Sequence, residues 1–435
     1  MFTSPVQTPQ LLTSTRKFEF NLEALRGFAA LFVVLAHCFG FSKVLNGVSR
    51  QGLWGYDFPG HFAVIVFFIM SGYVIGLSTR HRLTWQTTGT YLKKRFLRLY
   101  PIYACCLLLG LLITDRHYPI STIIANFAFL QVALTDPMYE VGVSWSLNYE
   151  MLFYLLFIPI SIYRIRIGVA LGLSLASALF FQFVVGWGQV SSYSYGFSFW
   201  LIGLWLSQEN HNITRLYSRF TLIGLLCLML AFPSLNFAAE ILHYTLHLDN
   251  FNGVQLKNPM AIALSDFSYL PLGLLLVTSF TDRKLPFRWA LVTFSVVVPM
   301  LYLLLQLKHS RIESIEWAPK MVAYGFYIIG LMLMAVGILR KTVHSNLLPQ
   351  KVIMLGSVSY GMYMSHFLII ILLGRFPFLY GTEWSLGVRT ALTVCITISF
   401  SYFLEKVWHP LAVRQLKRLP VFRKSAKILL AHNGS

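Results

Sequence analysis

The sequence predicts an all-α fold: a polytopic transmembrane helical bundle of about 10–12 spans with both termini cytoplasmic. Three observations predict it. Hydrophobic residues make up 56% of the 435 and charged residues only 12%, with a mean hydropathy of +0.64, which no soluble domain of this size reaches. Apolar runs of bilayer length recur along the chain, unlike the short alternating segments of a β-barrel. The cations are distributed unevenly between alternate loops, as the positive-inside rule requires.

The runs lie at residues 22–41, 60–78, 99–115, 145–162, 167–186, 193–207, 219–238, 260–280, 289–307, 321–339, 353–373 and 385–404. Those at 99–115 and 193–207 are short, and a further stretch at 120–134 reads as interfacial. With the N-terminus inside, 25 Lys and Arg fall on inside segments and 8 on outside segments. Arg26 and Arg389 lie within spans and complete the 35. This division assigns residues 1–21 to a cytoplasmic segment, 22–404 to one membrane domain and 405–435 to a basic cytoplasmic tail. The stretch before Phe18 has no signal-peptide core, so the first span is expected to act as its own insertion signal.

The net charge of +19 belongs to loops facing anionic headgroups, not to a nucleic-acid footprint. The five cysteines sit in apolar runs without metal spacing and read as packing residues. His243 and His247 are four apart but lack companions, so no metal is expected. The Asn212-Ile213-Thr214 sequon falls in an inside loop and is discounted.

Ionisable residues inside spans carry the functional signal, because a charge at the bilayer centre costs at least about 2.5 kcal/mol. Arg26 and His37 are eleven positions apart, so one helix presents both on one stripe, about 16 Å apart along the axis. Arg95 and Arg98 share a face at the inner end of span three and suit phosphate oxygens; a plain topology anchor is the other reading. Glu150 lies about 8 Å from the outer face, with Trp145 and Ser146 before it. Glu150 is expected to act as a base or to orient His37; a structural ion-pair partner is the alternative. Ser359, Tyr363 and His366 form another stripe, suited to a sugar-lined cavity or to interhelical hydrogen bonds. The Ser71-Gly72 pair reads as close helix packing, and Asp266 and Arg389 are buried charges of unassigned role.

Six stretches together resemble the membrane-bound acyltransferase-3 family. They are Leu25-Arg26-Gly27 with His37, Phe67-Phe68-Ile69-Met70-Ser71-Gly72-Tyr73, and Arg95-Phe96-Leu97-Arg98-Leu99-Tyr100-Pro101. Then come Trp145-Ser146-Leu147 with Glu150 and Phe153-Tyr154, Ser359-Tyr360-Gly361-Met362-Tyr363 with His366, and Ser401-Tyr402-Phe403-Leu404-Glu405. They run in the family's order from residue 22 to residue 405. In the chain, Lys406-Val407-Trp408-His409 intervene between the last motif and Pro410, where the family often has proline sooner. The resemblance implies transfer of an acyl group, usually acetyl, from cytoplasmic acyl-CoA to a hydroxyl of a cell-surface or lipid-linked saccharide. Its Arg–ten residues–His and Arg-x-x-Arg signatures match Arg26 with His37 and Arg95 with Arg98, implying a catalytic His37 and acetyl-CoA binding by Arg26, Arg95 and Arg98. The spacing and depth of the residues add Glu150 as a catalytic partner of His37, and Trp145, Ser146, Ser359, Tyr363 and His366 near the acceptor. Some members carry an esterase-like domain after the last span. Here transfer is expected to finish in the membrane domain or on a separate partner. A bacterial inner membrane is the expected location. The competing class is a proton-coupled transporter or flippase, which uses the same buried residue types but usually shows internal repeats. Oligomeric state is not legible.

Overall fold

The computed structural model describes residues 10–41, 47–48, 52–79, 81–208, 217–235, 261–283, 285–309, 317–339 and 350–420. His243, His247, the Asn212-Ile213-Thr214 sequon and residues 421–435 of the basic tail lie outside these residues. Within them the regular structure is helical, joined by turns and irregular connections, with one isolated bridge between Gln131 and Thr135.

The helices are α1 (Gln10–Gly40), α2 (Gly60–Ser78), α3 (Trp85–Ile113), α4 (Ile120–Phe127), α5 (Trp145–Ile162) and α6 (Ile167–Phe180). They continue as α7 (Gly188–Gln208), α8 (Arg219–Ala231), α9 (Leu270–Phe280), α10 (Arg288–His309) and α11 (Trp317–Leu339). The last are α12 (Gln350–Gly356), α13 (Ser359–Leu373), α14 (Glu383–Phe403) and α15 (His409–Leu416). Seven helical segments among the described residues are long and apolar enough to cross a bilayer, and four shorter apolar ones accompany them. With α7, they account for all twelve apolar runs of the sequence. Trp85, Trp187, Trp289 and Trp384 stand exposed at or beside helix starts, as interfacial anchors do. Leu112, Leu173, Val184 and Met332 are exposed on helix flanks, where lipid replaces water as the solvent. The chain is a multi-pass integral membrane protein.

Glycines set the closest helix approaches. A Cβ on Gly72 would lie 1.9 Å from the Trp200 carbonyl oxygen, and one on Gly203 would lie 1.9 Å from that of Ile69. So α2 and α7 touch backbone to backbone, which only glycine permits. The same device joins α1 to α12, where a Cβ on Gly356 would lie 1.9 Å from the Glu23 carbonyl oxygen.

Three sequence expectations change in detail. The run at 353–373 is two helices, not one. The chain breaks at Ser357-Val358, where the Ser357 and Ser359 hydroxyls donate to the carbonyls of Met354 and Gly356 at 2.9 and 2.8 Å. Such local bonds compete with the helical ladder. The short run at 99–115 is the C-terminal part of the 29-residue α3, which begins at Trp85 and ends at Ile113. The last span runs past residue 404 through a wide π-turn (Leu404–Trp408) into α15.

That turn makes sense of the residues inserted before Pro410. Pro101 sits inside α3 and has no N–H, so the Leu97 carbonyl loses its helical donor. His409 Nε2 donates to that carbonyl at 3.0 Å, and Trp408 Nε1 donates to the Pro101 carbonyl at 2.9 Å. Buried carbonyls need such partners.

Candidate active site

A cavity of about 90 Å³ lies among α1, α2, α3, α5 and α13. Its wall carries Arg26, Arg95, Arg98, Glu150, Ser71 and Tyr154. Three guanidiniums and one carboxylate therefore face a single space. Arg26 is paired with Glu23, one turn earlier on α1, at 2.7 Å. Arg95 Nη2 donates to Ser78 Oγ at 2.8 Å, and its guanidinium lies over the Tyr91 and Tyr154 rings. The buried Nε of Arg95 has no hydrogen-bond partner. Arg98 makes no hydrogen bond or ion pair among the described residues. Residues three apart on α3 thus aim two incompletely satisfied forks at one space.

Glu150 sits opposite them. Its Oε1 accepts from Ser71 Oγ at 2.6 Å and from Tyr154 Oη, one turn along α5. Trp200 Nε1 donates to Ser71 Oγ at 3.3 Å. Ser71 thus serves the cavity while Gly72 serves the packing, and the sequence reading had seen only the packing.

The other end of the cavity is hydroxyl-lined. Ser146 Oγ and Tyr363 Oη are 2.7 Å apart, and Tyr363 Oη donates to the Val143 carbonyl at 2.8 Å. The Tyr363 ring stands 6.2 Å from that of His366. Behind it, His366 Nε2 meets His37 Nδ1 at 3.2 Å.

The tautomers of this pair follow from its carbonyl contacts. His366 Nδ1 lies 3.0 Å from the Met362 carbonyl oxygen, which only accepts, so Nδ1 carries the proton. His37 Nδ1 lies 2.8 Å from the Val33 carbonyl oxygen and is protonated for the same reason. The lone pair of His366 Nε2 then receives the His37 Nδ1–H, shared with Val33. His37 Nε2 is left with its own lone pair and no hydrogen-bond partner among the described residues. Phe41 stacks on the His37 ring and Phe367 meets it edge-on, both at 5.7 Å. His366 is fully buried and His37 half-buried.

Residues 19–406 match an acyltransferase domain family, acyltransferase-3, across most of the chain. This chain belongs to the acyltransferase-3 family. It is 29% identical over 148 residues to acyltransferase MdmB of Streptomyces mycarofaciens, covering 32% of this chain and 38% of that protein. It is 30% identical over 156 residues to protein 2 of the picA locus of Rhizobium radiobacter, covering 30% of this chain and 75% of that protein. The aligned region thus spans under two fifths of MdmB. No solved structure matches it.

In this acyltransferase-3 chain the structure brings Arg26, Arg95, Arg98, Ser146, Glu150, Ser359 and Tyr363 onto one cavity. It brings His37 and His366 together beyond Tyr363. Two expectations are corrected. Glu150 does not orient His37: Ser71 and Tyr154 take its Oε1, and His366 is the group in contact with His37. Ser359 lines the same cavity as Ser146 and Tyr363. Trp145 is buried edge-on against Tyr149 at 5.4 Å and lies off the cavity wall. Sequence reading also missed the contact of His61 Nε2 with Asp266 Oδ2 at 3.0 Å, which satisfies one of the two unassigned charges. Their separation by 205 positions left no spacing signal.

Proposed function

We propose that this protein is an integral membrane O-acyltransferase. In this reading it moves an acetyl group from cytoplasmic acyl-CoA to a hydroxyl of a cell-surface or lipid-linked saccharide, in a bacterial inner membrane. The observation that carries the reading is the layout of α1. One face of this helix offers Arg26 to a three-arginine cavity, and about 16 Å further along it offers His37 with an unengaged Nε2.

Arg95, Arg98 and Arg26 grip the pyrophosphate of the donor where it meets the pantetheine arm, since forked guanidiniums match phosphate oxygens. The extended arm of the donor suits the distance to His37. His37 Nε2 takes the proton of the acceptor hydroxyl as that oxygen attacks the thioester carbonyl. The C–S bond breaks, and the leaving thiolate receives the proton back from His37, giving the ester and free CoA. Attack of Nε2 itself on the thioester, followed by transfer from an acyl-imidazole, uses the same lone pair. His366 holds the His37 ring in the tautomer that keeps Nε2 unprotonated. Ser146 and Tyr363 offer hydroxyls to a sugar. Glu150 balances the cationic cavity and fixes the Ser71–Tyr154 wall.

Arg98→Gln separates binding from chemistry. A lost charged hydrogen bond is worth about 1.5–3 kcal/mol, so KM for acetyl-CoA should rise about tenfold to a hundredfold. The kcat should stay within about twofold. Lys94→Gln, on an exposed residue off the cavity wall, should leave both constants unchanged. An unchanged KM in folded Arg98→Gln would remove the donor from this cavity.

A further inference from the structure

A second, larger cleft opens beyond the first. It encloses about 780 Å³ and is lined by Arg82, Arg164, Arg166 and Arg283, with His81 and Ser161. Among the described residues no carboxylate lines it. Its walls are the end of α2, the α2–α3 and α5–α6 connections, the end of α7 and the segment after α9. Positive-inside counting assigns all of these to the cytoplasmic face.

The cleft continues the arginine cavity along α5. Glu150, Tyr154, Phe157 and Ser161 fall on one helical stripe; the first two line the cavity and the last two line the cleft. Seven residues from Tyr154 to Ser161 correspond to about 10 Å along the axis.

Arg82, Arg164 and Arg166 make no ion pair with any described residue. Arg82 donates from Nε and Nη2 to the Ile162 carbonyl at 2.9 and 2.5 Å, which fixes its position without cancelling its charge. Arg164 and Arg166 are exposed. Arg164 has a further peculiarity. It adopts φ 55° just past the end of α5, where the Ile165 N–H bonds back to the Ile160 carbonyl at 3.0 Å. Glycine is the usual residue at this helix-ending position, since a side chain strains the left-handed backbone. The chain carries a cation there despite that strain, beside a cleft with no carboxylate among its described lining residues.

We propose that this cleft is a phosphate-binding site, filled by the phosphorylated nucleotide end of the acyl donor. The donor assignment rests on the acyl-CoA reading above. The phosphate chemistry rests on the arginines alone, and a phospholipid headgroup of the inner leaflet is the other source of it.

The test uses full-length protein in phosphatidylcholine nanodiscs with adenosine 3′,5′-bisphosphate as probe. Wild type is compared with Arg164→Gly plus Arg166→Gln, and with Arg98→Gln. The double variant should melt no lower than wild type, because glycine suits φ 55°. It should bind the bisphosphate at least about tenfold more weakly, a larger loss than in Arg98→Gln, because the bisphosphate lacks the second phosphate of the donor's pyrophosphate. If phosphatidylglycerol displaces the bisphosphate from wild type and the double variant no longer responds to that lipid, the site stands and the headgroup competes for it. Equal bisphosphate affinity and equal lipid response in wild type and double variant overturn the proposal. So does an affinity lost only in Arg98→Gln, which would put the phosphate in the upper cavity. The bisphosphate carries no acyl group, so intact binding without acyl transfer would sink the enzymatic reading and leave the phosphate site.

Discussion

Replacing His37 with alanine is expected to lower kcat for acyl transfer by about 10²–10⁴-fold, the range contributed by a positioned general base. The KM for acetyl-CoA should change little, because the donor-gripping arginines line a separate cavity, Arg26 among them about 16 Å from His37 along α1. The expectation rests on the hydrogen-bond pattern. Both carbonyl contacts fix protons on Nδ1 of the two imidazoles, and only His37 Nε2 is left with an unengaged lone pair. His366 acts on the substrate only through His37 in this account, so it is a positioning residue. His366→Gln should therefore cost less than His37→Ala, with a shifted pH profile as its mark. Steady-state release of free CoA by purified, folded variants measures both. A kcat within about threefold of wild type in His37→Ala would remove the base from the scheme.

Gly203→Ala should be the most damaging small substitution in the bundle. The added methyl would sit 1.9 Å from the Ile69 carbonyl oxygen, so α2 and α7 must part. Alanine gains about 1 kcal/mol in helix propensity over glycine, but forced overpacking costs about 1–3 kcal/mol or more. A backbone oxygen cannot rotate away as a flexible side chain does, so the clash wins. The melting temperature in detergent should fall by at least about 5 °C. Activity should fall with it, because Ser71 and Glu150 meet across the displaced α2. Gly172→Ala is the control: nothing lies within 4 Å of its added methyl, so stability should hold or rise. Equal melting of wild type and Gly203→Ala would contradict the backbone-to-backbone packing.

Much of this architecture was legible in the sequence, for particular reasons. Hydrophobic length located every span, because bilayer thickness sets a hard lower bound on a crossing helix. Helical spacing put Arg26 and His37 on one helix and Arg95 beside Arg98, since a helix converts sequence distance into geometry. It misdirected Glu150, because depth in the membrane is one coordinate and says nothing about rotation around the bundle axis. Residue counting puts His37 and Glu150 at similar depth, yet Glu150 lines the cavity with Arg26 and Arg98, and Ser71 on α2 claims the carboxylate. The contact of His37 with His366, across 329 positions, is a fact of packing that no local pattern encodes. The break at Ser357-Val358 was hidden for a related reason. Gly356 and two serines are compatible with a membrane helix, and only the close approach to Glu23 shows what the glycine is for.

The most direct test of the account is acetyl-CoA turnover by wild-type protein in proteoliposomes, with a labelled acetyl donor supplied to the face bearing Arg95 and Arg98. Free CoA should appear and the label should move to an added glycan acceptor, while His37→Ala protein gives neither. Well-folded wild type that neither binds acetyl-CoA nor releases CoA, and instead carries a glycan precursor across the bilayer, would contradict the acyltransferase reading in favour of a transporter.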